Sequence, residues 1–186
     1  MAPEPQLSFF GHDLQRAECV LATANGSLFM SDKRGGVMAI SAEGSQRLIG
    51  ASDLVPNGIA LRRDGSFLIA NLGAEGGVWQ LDPQGRALPW LMEIDGVRLP
   101  RVNFVMNDGQ DRTWICVSAT ETGDHYPVDG ATGFILLQDA SGTRVVADGL
   151  RYTNELRVSA DGRFVFVNRP SAAGCHALTS ARKGAC

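Results

Sequence analysis

From residue 18 to residue 168 the chain is a succession of short apolar runs, nearly all closed by glycine or by a polar turn pair. The runs are too short for helices and lack a 3.6-residue period, so they read as strands joined by tight hairpins. The clearest copy starts at Asn154: a run to Ser159, the turn pair Asp161-Gly162, and a second run from Phe164 to Asn168. Asp-Gly and Asn-Gly supply the positive backbone angles that two-residue hairpin turns need. The same layout occurs three times upstream: Glu18 before Asn25-Gly26, Asn57 before Asp64-Gly65, and Asn103 before a looser turn at Asp111-Arg112. In three of the four copies a polar anchor lies eight residues before the turn glycine (Glu18 and Gly26, Asn57 and Gly65, Asn154 and Gly162).

Each of the first three copies predicts four strands. The first covers 18–24, 27–32, 37–41 and 46–49; the second 57–61, 66–71, 77–82 and 87–92; the third 103–107, 113–118, 133–139 and 143–147. The fourth starts at 154 and its pattern stops after Asn168. Leu7 to Phe10 reads as an edge strand. Successive anchors are 39, 46 and 51 residues apart. Four short antiparallel strands at that period are the signature of propeller blades. A two-sheet sandwich would give no reason for one polar anchor to recur at one place in every unit. In a propeller the anchors ring one mouth of the central channel, and the long third-copy connection, 119–132, lies over it.

Composition narrows the partners. A chain of 186 residues with 17 Lys and Arg against 20 Asp and Glu carries a net charge of −3 and no basic run, which argues against nucleic acid and anionic membrane. No membrane-length apolar run is present, and Met1 to Gln6 lacks the basic and apolar regions of a secretion signal, so the expected location is cytoplasmic. Cys19 and Cys116 fall inside predicted strands as small hydrophobes.

One carboxylate and three amides converging on an axis offer hard oxygen donors, which suit Ca²⁺ better than Zn²⁺. An Asn at the start of a strand also caps turns through its side chain, and for any one anchor the sequence leaves both roles open. Arg101, two residues before Asn103, points to the same side of an extended segment and reads either as a ligand contact or as a solvated arginine. Glu155 shares a face with Arg157 and reads as an ion pair between blades; His125 sits on the long loop without a defined partner. No Ser–His–Asp set is present to defend.

Arg16-Ala17-Glu18-Cys19, Ser31-Asp32 with Gly35-Gly36-Val37, Pro56 to Ala60, Arg101 with Asn103, and Thr153-Asn154-Glu155 together resemble one family. It is that of senescence marker protein, gluconolactonase and luciferin-regenerating-enzyme-like proteins, and the resemblance runs from Arg16 to Asn168. It implies a six-bladed propeller, of which residues 1–168 would form an incomplete ring of about three and a half blades. It implies one divalent ion, most simply Ca²⁺ with Zn²⁺, Mg²⁺ or Mn²⁺ as substitutes, and hydrolysis of a small sugar-type lactone by metal-activated water. By motif, Glu18 and Asn154 are the implied metal ligands, and Arg101, Asn103 and Glu121 the implied substrate contacts. A further aspartate, ligand and general base, belongs to a later blade, so no catalytic base is assigned within these residues. A non-catalytic calcium- or ligand-binding propeller is the alternative, since fold alone does not decide activity. Residues 169–186 break the strand pattern and read as a frameshifted tail, with Phe164 to Asn168 left as an open edge and the chain expected to be inactive and aggregation-prone by itself.

Overall fold

The computed structural model describes residues 6, 8–120 and 130–168, and the backbone of 175–179. Among them there is no helix, and so none long and apolar enough to cross a membrane. The first sheet is β1 (Val20–Ala22), β2 (Leu28–Asp32), β3 (Gly36–Ile40) and β4 (Gln46–Ile49). The second is β5 (Pro56–Leu61), β6 (Phe67–Asn71), β7 (Val78–Leu81) and β8 (Ala87–Leu91). A small hairpin, β9 (Glu93–Ile94) and β10 (Val97–Arg98), precedes the third sheet. That sheet is β11 (Phe104–Asn107), β12 (Thr113–Val117), β13 (Gly133–Asp139) and β14 (Gly142–Leu150). The fourth is β15 (Glu155–Val158), β16 (Phe164–Asn168) and β17 (Cys175–Thr179). Every sheet is antiparallel and in chain order, so each is one meandering blade whose first strand is innermost.

Burial shows which sheets have neighbours on both faces. All five residues of β6 and all five of β12 are buried. On β6, Phe67 and Ile69 face one apolar cluster and Leu68 and Ala70 the other. Such strands read as unbroken apolar runs because neither face meets water. Along β16 burial alternates instead: Val165 and Val167 are in the core while Phe166 is 42% exposed.

Several boundaries differ from the sequence expectation. Residues 8–10 form no strand; Gly11 and Asp13, both at positive φ, turn the chain away, and Phe9 and Phe10 are exposed. The first inner strand is only Val20–Ala22; just ahead of it the Cys19 carbonyl still accepts the Ser31 N–H, but the Glu18 and Cys19 amides donate to the Ser31 hydroxyl. The fourth strand of the third sheet runs on to Leu150, accommodated by two register shifts against β13. The β9–β10 hairpin was not expected. Nor is β16 an open edge: β17 pairs with it from Phe164 opposite Thr179 to Asn168 opposite Cys175. A backbone ladder needs no side-chain alternation, so the unpatterned segment still pairs. The rest of 169–186 lies outside the described residues.

Candidate functional site

The four anchors occupy the same place in four sheets. Asn103 and Asn154 immediately precede the inner strands β11 and β15, Glu18 stands two residues before the start of β1, and Asn57 is the second residue of β5. Glu18 is fixed through its backbone, whose N–H is shared between the Ser31 hydroxyl at 3.1 Å and the Arg16 carbonyl at 2.9 Å. Asn57 sits on a β-bulge: Pro56 pairs with Asn71 but the next pairing is Ile59 with Ile69, which leaves one extra residue on β5. Behind it, Gly58 lets β5 and β11 approach closely; a Cβ there would fall 2.7 Å from the Phe104 Cα. Its N–H donates to the Asn103 carbonyl at 3.0 Å.

These backbones bring three anchors into one hydrogen-bonded chain. The Asn57 side-chain amide donates to the Asn103 carbonyl at 2.8 Å and to its side-chain oxygen at 3.1 Å. The Asn57 side-chain oxygen accepts from the Arg16 guanidinium at 2.9 Å, and the same Arg16 nitrogen lies 3.5 Å from the Glu18 carboxylate. Its other terminal nitrogen donates to the Pro56 carbonyl at 3.2 Å. Asn154 is placed from the third sheet: the buried Thr153 hydroxyl donates to the Val117 carbonyl, and the Ser118 hydroxyl donates to the Thr153 carbonyl. Its own N–H donates to the Asn168 carbonyl at 2.9 Å, and its side chain is half-buried.

Arg101 is half-buried, and its Nε is fully buried with no hydrogen-bond partner among the described residues. A buried donor left unpaired carries a desolvation cost that a ligand oxygen would relieve. Glu121 and His125 lie outside the described residues. Glu155 and Arg157 do pair, at 3.7 Å, but within β15; the contact between sheets is the Arg157 guanidinium 4.9 Å from the Phe104 ring. A cation on an aromatic face does the bridging expected of the ion pair.

Asn57 is engaged on both sides of its amide, which makes it scaffold. The Asn103 side-chain oxygen already accepts one bond. Less engaged are the Glu18 carboxylate, half-exposed and held by one long contact, and the Asn154 amide. Among the described residues no three His, Cys, Asp or Glu side chains gather as a metal-ligating group. The Glu18 carboxylate and the Asn103 and Asn154 amides offer oxygen donors with a single charge, the type that hard divalent cations collect. The two cysteine side chains among the described residues are poor nucleophiles: burial pushes the Cys116 thiol up to about 12 and raises that of Cys19.

Three supporting residues were not singled out from sequence as site-builders. Ser31 orients Glu18. Asp32, itself buried, receives both the backbone and side chain of Arg34 and the Gln15 N–H, pinning the segment that carries Arg16. Burial alone would raise the Asp32 carboxyl, but those donors outweigh it and hold it below its ordinary value. A signal existed, since Ser31, Asn71, Ser118 and Asn168 all stand at the end of the second strand or just past it. Arg16 had none, because its reach to the second sheet is visible only in three dimensions. Two clefts open at the opposite ends of the inner strands, one of about 610 Å³ beside Asp64, Asn107 and Asp111, the other beside Asn25, Phe29 and Pro83; neither includes an anchor.

No family model matches the chain, and no curated protein matches its sequence. Solved structures do. One is a protein assigned as a gluconolactonase, with TM-score 0.72 and 16% identity over 91% of this chain and 61% of that one. Another is a gluconolactonase from Xanthomonas campestris, described as important in glucose secondary metabolic pathways, with TM-score 0.69 and 18% identity over 84% of this chain and 55% of that one. The chain thus spans less than two thirds of either protein's length. The resemblance read from sequence holds at the level of fold: the sheets are part of the ring of a six-bladed propeller.

Proposed function

We propose that the protein is a hydrolase of the gluconolactonase type that opens a small polyhydroxy lactone. The observation that carries this is the set Glu18, Asn57 and Asn103, at corresponding places in neighbouring sheets and linked through Arg16, in a fold shared with proteins described as gluconolactonases. Glu18 and Asn154 would hold a divalent ion, Ca²⁺ being the best match to their oxygens. When bound, such an ion stabilises negative charge developing on a carbonyl oxygen. Arg101 would donate its Nε–H, which has no partner among the described residues, to a lactone oxygen, and Asn103, fixed by Asn57, would orient the ring beside it. Glu121 is proposed as a third substrate contact. Water attack breaks the acyl C–O bond of the ring and yields a hydroxy acid, the proton passing to a base outside the residues described.

The test is a panel of sugar lactones assayed with the full-length protein, with and without chelator and as Glu18→Ala. The expected result is hydrolysis that falls roughly 100-fold or more in both cases, the scale of losing one oxyanion-stabilising element. Hydrolysis indifferent to chelator and to Glu18→Ala would overturn the metal assignment. Ion binding without hydrolysis of any lactone would favour a non-catalytic calcium- or ligand-binding propeller.

A further inference from the structure

Arg16 stands where the assignment of Glu18 as a metal ligand would put a cation. Its guanidinium is surrounded by the Glu18 carboxylate at 3.5 Å, the Asn57 side-chain oxygen at 2.9 Å and the Pro56 carbonyl at 3.2 Å. One carboxylate, one amide and one main-chain carbonyl are the oxygen types that hard divalent ions collect. The arginine is delivered there by an uncommon backbone, φ 52°, for a residue that is not glycine. That conformation is held from outside the site: the Lys33 N–H donates to the Gln15 carbonyl at 2.8 Å and the Gln15 N–H to Asp32 at 3.3 Å. A surface arginine pairing by chance would need none of this.

We propose that Arg16 is a tethered cation that competes with the divalent ion for the Glu18 carboxylate, so that ion binding requires the guanidinium to let go. The inference rests on Glu18 being a ligand. The contact to Glu18 is long, and both side chains are a third to a half exposed (34% and 49%), so the pair is weak enough to be displaced. The bonds to Asn57 and Pro56 are shorter and would keep the guanidinium nearby after release, a positive charge still facing the ion. Arg16 then sets the ion concentration at which the site fills, and in the ion-free state it keeps Glu18 from standing unpaired.

Calorimetric titration of Ca²⁺ into the full chain tests this without any assay of activity. The variants are Arg16→Gln, Arg16→Lys and Glu18→Gln. Removing one unit charge at contact distance is expected to tighten Ca²⁺ binding about tenfold in Arg16→Gln, whereas Arg16→Lys keeps the charge and stays close to wild type. Should Arg16→Gln fail to fold, Arg16→Met retains the aliphatic stem and serves the same titration. Equal affinity in the wild type and the neutral variants, with binding abolished by Glu18→Gln, would overturn the competition and leave the ligand assignment standing. Equal tightening by Gln and Lys would show that the bonding geometry matters and the charge does not, which also overturns it. If Glu18→Gln binds Ca²⁺ as well as wild type, or no form binds it, the ligand assignment and the inference fall together.

Discussion

At the scale of single residues, the site depends on side chains that never face a substrate. The Ser31 hydroxyl is buried and accepts two N–H groups, from Glu18 and Cys19, each at 3.1 Å. Ser31→Ala removes the acceptor and leaves the buried Cys19 N–H to find another, so a loss of roughly 1–3 kcal/mol in urea unfolding is expected. On the proposed role of Glu18 as a ligand, the same variant should weaken Ca²⁺ binding, because the backbone that aims Glu18 loosens. Unchanged stability would mean that water or the Arg16 carbonyl takes over the bonds. Glu18 and Asn154 were legible in the sequence as candidates because each breaks the apolar pattern eight residues before a turn glycine, and Asn103 because it opens the third copy ahead of a looser turn. The role of Asn57 was not: its spacing is identical, and only its saturated amide separates scaffold from candidate ligand. Arg16 was illegible as a cross-sheet contact, since no local pattern records a side chain reaching from one sheet to the next.

At the scale of elements, most strands were legible and the exceptions have local causes. Runs of glycine-punctuated apolar residues located all four sheets, and β4 and β13 fall where the pattern put them. The β9–β10 hairpin was overlooked although Asp95-Gly96, both at positive φ, is the same turn pair used elsewhere. Its flanking strands are two residues each, too short for any alternation to show. Contact between blades was hidden in one glycine. Gly58 needs no unusual backbone; it is required because Phe104 Cα and Val105 N lie 2.7 and 2.8 Å from where a Cβ would sit. Since those neighbours are backbone, Gly58→Ala must push β5 and β11 apart at the Asn57–Asn103 link, for a cost of about 1–3 kcal/mol or more. Gly109→Ala, facing open space without positive φ, is the matched control and is expected to be near neutral. Thermal melts of the two variants side by side check this, and equal melting points would show that the blades are not packed as closely as the Gly58 contact requires.

At the scale of the whole molecule, the hairpins share a device that couples the fold to acid. Asp64, Asp82, Asp108, Asp139 and Asp161 each accept the N–H two residues further on, from Ser66, Gln84, Gln110, Ser141 and Arg163. All five carboxyls are held below their ordinary values. For Asp64 the Ser66 hydroxyl leads, for Asp82 the Arg86 N–H, and for Asp161 the Ser159 hydroxyl. At Asp108 burial pulls upward, but the Trp114 indole, the Gln110 N–H and the Arg112 donors outweigh it. Asp139, under the Arg144 guanidinium, is held at about 2. A carboxyl depressed in the folded state binds its proton more readily when unfolded, so its stabilisation is complete above the unfolded value and lost as pH falls through the folded one. The urea midpoint is therefore expected to hold steady from pH 7 to about 5 and to decline from about 4 towards 2. The first sheet supplies an internal control, because its turn uses Asn25, whose side-chain oxygen accepts the Ser27 N–H at 3.2 Å and cannot titrate in this range. In an NMR titration the amide shifts of Ser66, Gln84, Gln110, Ser141 and Arg163 should move as their carboxylates protonate, while that of Ser27 stays fixed until global unfolding. A midpoint flat down to pH 2, or a Ser27 shift that moves with the others, would show that acid acts on the fold elsewhere than at its turns.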